Sequence, residues 1–215
     1  MKVLNQIPNL PALDVLDILS VDYFLENKAL RLHINQVNWE EFPYQPITVV
    51  DIARTDKNLY LHFFVRGNSL KASYQEDGSP VHKDSCVEFF VKPQRGPYKY
   101  INFEFNCIGT CDASYRQSRE EKTGLSAEEY ASIRRHSSLE NKTFEEITGV
   151  HSWELTVAIP FTLMGINPKK LPKTLHANFY KCADETACPH YLSWAPIDLP
   201  EPNFHCPEYF GELRF

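Results

Sequence analysis

Glycine is scarce, with eight residues in a chain of 215. A loop that closes backbone amides around a phosphate is rich in glycine, and neither a phosphate-cradling loop nor a dinucleotide fingerprint occurs. Long apolar runs are missing as well. None approaches the roughly 20 residues that cross a bilayer as a helix. Pro8 and Pro11 interrupt the opening MKVLNQIPNLPALDVL before a leader-like apolar stretch can form. The expectation is a cytoplasmic protein without membrane contact, or a secreted or periplasmic one whose signal has been removed. There is no basic excess. The net charge is -6, with both signs interspersed, which argues against a nucleic-acid partner. No G-x-S-x-G, no H-E-x-x-H and no C-x-x-C is present.

What is present is aromatic and alternating. The chain is 43% hydrophobic and 13% aromatic. Runs such as ALRLHI, ITVVDIAR, NLYLHFFV, SCVEFFVK, YKYINFEFNC, SWELTVAIP, LHANFYKC, YLSWAP and YFGELRF repeat with period two, the mark of half-buried strands. Asp56 to Asn58 reads as a tight hairpin turn, and Pro93 to Pro97 as a turn cluster joining two paired strands. One segment reads clearly as a helix, Ser126 to Leu139, because Ser126 and Glu129 form a capping box. It lies in a polar insertion at about 112–148. A single helical turn is expected at Phe161 to Met164. Many short strands with proline-rich turns predict an all-β, antiparallel β-sandwich in a single domain over 1–215.

The strand KYINFEFN poses a chemical question. Ile101, Phe103 and Phe105 alternate as a core face should, yet the other face carries Asn102, Glu104 and Asn106. Such a row suits a polyol, and it equally suits loop backbone groups folded over the sheet. Glu88 stands on the neighbouring strand. With Glu104 it makes a carboxylate pair of the kind glycosidases use, or simply a hydrogen-bonded pair on a sheet face. Among the three tryptophans, Trp153 reads as core and Trp39 as a plug under a loop. Trp194 sits where a strand runs into a proline-rich loop, either as a platform at a rim or as core. Lys181 occupies an apolar strand face, as a pocket donor or as a side chain snorkelling outward. The cysteines Cys86, Cys107, Cys111, Cys182, Cys188 and Cys206 read as reduced, buried thiols. A rival reading gathers Cys182, Cys188, His190, His205 and Cys206 into a zinc or redox site.

The stretches HKDSCVEFFVKP, YINFEFNCIGTC, WELTVAIPFTLMG, ANFYKCAD and YLSWAP…FHCPEYFGELRF, taken in that order, resemble the family 9-like carbohydrate-binding modules. The likeness runs from about NLYLHFFV to the C-terminus. It implies a two-sheet sandwich of immunoglobulin-like or jelly-roll type and non-catalytic recognition of a saccharide, held at a polysaccharide chain end between two aromatic rings. It also implies calcium as a structural ion and no other cofactor. On that reading Trp194 is the platform and Lys181 a donor, with Glu104, Asn106, Asn102 and Arg119 as polar contacts. The second ring is Tyr115 or Tyr74. Two alternatives stay open: a stand-alone glycoside hydrolase or lyase using Glu88 and Glu104, and a protein-interaction domain without a sugar site.

Overall fold

The computed structural model describes residues 5–215. The expectation about a leader segment therefore lies partly outside the described residues. Strands follow the alternating runs: β1 (Leu30–His33), β2 (Gln36–Val37), β3 (Ile47–Arg54), β4 (Asn58–Ala72), β5 (Cys86–Val91), β6 (Tyr100–Asn106) and β7 (Cys111–Arg116). Then come β8 (Lys122–Gly124), β9 (Arg134–Ser137), β10 (Phe144–Pro160), β11 (Thr174–Cys182), β12 (Tyr191–Ser193) and β13 (Gly211–Arg214). One sheet has the order β1-β3-β4-β10-β9. The larger has the order β2-β12-β11-β5-β6-β7-β8, with β13 also pairing β11. Every pairing between these strands is antiparallel, and the two sheets form the expected β-sandwich.

Local chemistry sets the turns. Thr55 Oγ1 accepts from the amides of Lys57 and Asn58, closing the β3–β4 hairpin at the predicted place. Phe161–Met164 forms the expected short helical turn. The facing sheets bury a common core that includes Val50, Ile52, Leu61 and Phe63 from one and Val87, Phe89, Ile101 and Phe103 from the other. Phe89 stacks on Phe179 at 5.1 Å and on Phe103 at 6.0 Å, so β5 is gripped from both sides.

Each outer face also has a cover. Leu13, Val21 and Leu25 pack on Ala53, Tyr60 and Ala158 of the smaller sheet. Val21 and Leu25 belong to a helix, α1 (Val21–Lys28), that the sequence reading did not anticipate. On the larger sheet, Trp39, Ile197, Phe204, Cys206 and Phe210 cover Cys86, Phe90, Tyr100, Tyr180 and Cys182. The row Asn102, Glu104, Asn106 lies beneath this second cover and is therefore fully enclosed or nearly so.

The helix expected over Ser126 to Leu139 is shorter. Its start is as predicted: Ser126 Oγ accepts from Glu129 N, and the Glu129 carboxylate accepts from Ser126 N. This α2 (Ala127–Ser132) then ends, Ile133 enters the core, and the next residues become β9 against β10. Residues 112–148 thus supply most of β7, then β8, α2, β9 and the start of β10.

One ion pair ties this segment to the turn after β4. Asp77 accepts from both terminal nitrogens of Arg135 at 2.7 Å and from Cys111 N at 2.9 Å. Burial opposes ionisation of Asp77. The Arg135 and Cys111 hydrogen bonds and the guanidinium charge overcome it and hold the carboxyl below the usual carboxylate range. A depressed folded-state pKa stabilises above the unfolded value of about 3.9, and that stability is lost as pH falls through the folded value. Asp77→Asn is expected to cost about 1–2 kcal/mol at neutral pH. It should also flatten the acid limb of a melting-temperature profile below about pH 4. An unchanged acid limb would contradict the pairing.

Candidate functional site

The outer face of the larger sheet carries a cleft of about 350 Å³, within the size range of small-ligand sites. Glu88 and Glu104 face each other across β5 and β6, and Asp112 pairs with Glu104 from β7. All three point to the same side because they occupy matched register positions. Asp184 adds a fourth carboxylate, and Cys182 lies beside Glu88. Basic groups border this floor: His82, Arg116, Arg119 and Lys122. Tyr191 and Phe204 form an aromatic wall, with Phe204 stacked flat on Tyr180 at 4.1 Å.

A relay of hydrogen bonds holds the polar groups. Asn102 Nδ2 donates to Glu104 Oε1 at 2.9 Å, while Asn102 Oδ1 accepts from the Arg116 guanidinium. Arg116 also donates to the Arg119 carbonyl. His82 Nδ1 lies 3.5 Å from Glu104 Oε2, and this partner, chiefly by hydrogen bonding, raises the imidazole pKa. Burial, then repulsion from Glu104, pushes Asp112 up to about 6. Burial, then the neighbouring Cys182 and Glu104, raises Glu88 well above the usual range. His205 is driven down to about 3 by burial and then by Arg116 and Arg119. It is neutral at physiological pH, so the Tyr100 hydroxyl can donate to its Nδ1 at 3.0 Å. A roomier concavity beside Asp77 and Arg135 has its main charges already paired to each other.

The family profile described as "Carbohydrate-binding family 9" matches residues 20–215. The chain belongs to carbohydrate-binding family 9. It is similar to a crystal structure from Bacteroides uniformis ATCC 8492, provisionally described as a carbohydrate-binding protein, at 36% identity and a TM-score of 0.89. The match covers 98% of this chain and 97% of that one. A family 9 module from Caldicellulosiruptor kristjanssonii in complex with glucose is similar in fold at 13% identity and a TM-score of 0.60, covering 97% and 93%. The same organism's module in complex with cellotriose gives 14% and 0.58, covering 97% and 91%. No curated protein matches the chain. Among the described residues, no helix is long and apolar enough to cross a membrane.

In this family 9 chain, the residues singled out from sequence separate by strand face. Glu104 and Arg119 line the cleft. Asn102 lies below it as the link between Glu104 and Arg116. Asn106 is turned elsewhere: its Nδ2 donates to Tyr74 O and Asp84 Oδ2, and its Oδ1 accepts from Thr110 N. Lys181 has the parity of Ala177 and Phe179 and so faces the inter-sheet side, where Nζ donates to Cys182 O at 2.7 Å. Trp194 packs on the same inner core and meets Phe179 edge-on at 5.9 Å. Tyr115 also lies on the inner face, its hydroxyl donating to Glu129 and its ring stacked on Tyr98. Tyr74 packs into the outer cover. Lys181, Trp194 and Tyr115 therefore stand on the opposite side of the sheet from the cleft. Trp153 is core, and Trp39 is a buried plug donating to Leu199 O, as expected.

The cleft also holds residues that sequence reasoning passed over: His82, Asp112, Arg116, Lys122, Asp184, Tyr191 and Phe204. A signal for two of them was available. Asp112, Ser114 and Arg116 alternate as a polar row on β7 just as Asn102, Glu104 and Asn106 do on β6, but in the sequence the stretch reads as the start of a polar insertion.

All six cysteines are free, five of them buried and Cys188 exposed. The proposed zinc set is dispersed. Cys206 Sγ donates to Asn203 O, His190 Nδ1 lies beside Cys188 O, and His205 engages Tyr100. Among the described residues, one group of three ionisable ligands converges: Cys86, Glu88 and Cys182. Two sulfurs and one carboxylate do not fit calcium, which takes six to eight oxygens.

Proposed function

We propose that the chain binds a saccharide, without transforming it, in the cleft on the outer face of the larger sheet. The observation that carries this reading is the convergence of carboxylates with Arg116, Arg119 and Lys122 beside the Tyr191–Phe204 wall. Carboxylates accept from sugar hydroxyls, guanidinium groups donate to them, and an aromatic wall takes the C–H face of the ring. Family membership supports the reading, as do the glucose and cellotriose bound by the Caldicellulosiruptor modules. The floor formed by Glu88, Glu104 and Cys182 favours the terminal sugar of a polysaccharide over an internal unit, since a closed floor leaves no exit for the chain.

Hydrolysis fits less well. Glu88 has the raised pKa of a general acid, but its Oε1 accepts from Cys182 Sγ and the side chain is 2% exposed. Calorimetric titration with glucose and cellotriose, beside a glycan array, tests the proposal. Arg119 is exposed at the rim, so Arg119→Ala should weaken affinity about tenfold, roughly 1.4 kcal/mol, with an unchanged melting temperature. Silence across the whole array would overturn the reading. Turnover of an oligosaccharide that disappears in Glu88→Gln would replace it with the hydrolytic one.

A further inference from the structure

We propose that Cys86, Cys182 and Glu88 form a binding site for a thiophilic divalent cation, zinc being the best match, at the floor of the cleft. The site arises from register. Cys86 and Cys182 are direct partners across β5 and β11, and Glu88, two residues along β5, projects to the same face. Their ligand atoms all lie within 4.8 Å of one another, and Glu88 Oε1 is 3.0 Å from Cys182 Sγ. Sulfurs around a tetrahedral zinc stand about 3.8 Å apart and a sulfur–oxygen pair about 3.5 Å, so small adjustments suffice: Glu88 Oε1 moves away from Cys182 Sγ once the thiol proton between them is displaced.

A second observation points to a ligand. Glu88 Oε2 is buried without any hydrogen-bond partner, although the side chain is almost wholly enclosed. A buried carboxylate oxygen left unpaired is costly, and a metal ion would satisfy it. Glu88 and Cys182 line the cleft, which gives the ion a route in and leaves its fourth position open toward water.

Charge is also provided for. Two thiolates and one carboxylate around a dication leave a net single negative charge. Lys181, next to Cys182, is 2% exposed and makes no ion pair among the described residues; its only hydrogen bond goes to the Cys182 carbonyl. Burial lowers the Lys181 pKa, and negative charge on Cys182, Cys86 and Glu88 counters that lowering, so the anionic ligands themselves favour its ammonium form. Binding is balanced as one zinc ion displacing three protons, two from thiols and one from the Glu88 carboxyl. Two soft donors and one hard donor in a tetrahedral set select zinc over calcium or magnesium.

The test uses the reduced full-length chain, stripped with a chelator that is then removed. Cobalt(II) alone is added as the spectroscopic probe. One ion per chain should bind with a thiolate-to-cobalt charge-transfer band and tetrahedral d–d intensity. Zinc should displace it and raise the melting temperature. Cys86→Ala and Cys182→Ala should each abolish the thiolate band. Cys206→Ala, which removes a buried thiol outside the set, should keep it. Glu88→Gln should weaken zinc binding about tenfold or more. Melts of each variant, recorded without metal, separate loss of the site from loss of the fold. Absence of the band in folded wild type, or its persistence in folded Cys86→Ala/Cys182→Ala, would overturn the site. A Cys86–Cys182 disulfide in protein isolated without reductant would overturn it in favour of a redox pair.

Discussion

Saccharide affinity is expected to fall about a hundredfold or more in Glu104→Ala. Glu104 is only 4% exposed yet lines the cleft, and each charge-assisted hydrogen bond it offers a hydroxyl contributes about 1.5–3 kcal/mol. Truncation also leaves Asn102 Nδ2 and His82 without their acceptor. The relay to Arg116 then loses its anchor, and the guanidinium is free to shift. Glu104→Gln keeps one acceptor oxygen and should fall between the two. A second readout is independent of sugar. Repulsion from Glu104 is one cause of the raised Asp112 pKa, so carboxyl titration by NMR should show Asp112 moving down from about 6 in Glu104→Ala. Affinity within twofold of wild type, measured by calorimetry on a folded variant, would remove Glu104 from the site.

Trp194→Ala is expected to do the reverse, lowering stability while leaving affinity alone. Its ring lies against Phe179 and fills the space over Gly211. A Cβ added at Gly211 would stand 2.6 Å from the ring, so glycine is required there by close approach. Trp194 is only half-buried, so a loss of about 3 kcal/mol is appropriate, at the low end for a large aromatic. For a domain of this size that corresponds to about 6–12 °C in melting temperature. An unchanged melting temperature with lost saccharide affinity would return Trp194 to the binding surface.

These two residues show where the sequence was legible. Alternation placed Ile101, Phe103 and Phe105 inward and Glu104 outward, because a strand with one core face leaves little freedom of register. The same alternation put Lys181 and Trp194 on the inner face. In sequence, a lysine among apolar residues and a tryptophan at a strand exit resemble pocket residues. Only the tertiary structure shows that Lys181 satisfies itself on a carbonyl.

The helix boundary failed for a different reason. Ser126 and Glu129 signal a start in local sequence, but the end after Ser132 is imposed by β9 pairing with β10 and by Arg135 reaching Asp77. Tertiary pairing overrides propensity there. The short α1 buries only Val21 and Leu25 and so left too few apolar positions to show a period. The cleft itself gathers His82, Asp184 and Phe204 from three loops, a convergence that no spacing in the sequence encodes.

The place of β2 has a consequence for how the chain is made. Its partner is β12, and Asn38, just after β2, bonds Ser193 across a separation of 155 residues. At synthesis rates of about 5–20 residues per second, the early segment leaves the ribosome roughly 8–30 s before that partner exists. The β3–β4 hairpin can form early, but β2 has no partner until β12 has emerged. Completion of the larger sheet should therefore be slow, as expected of non-local β pairing.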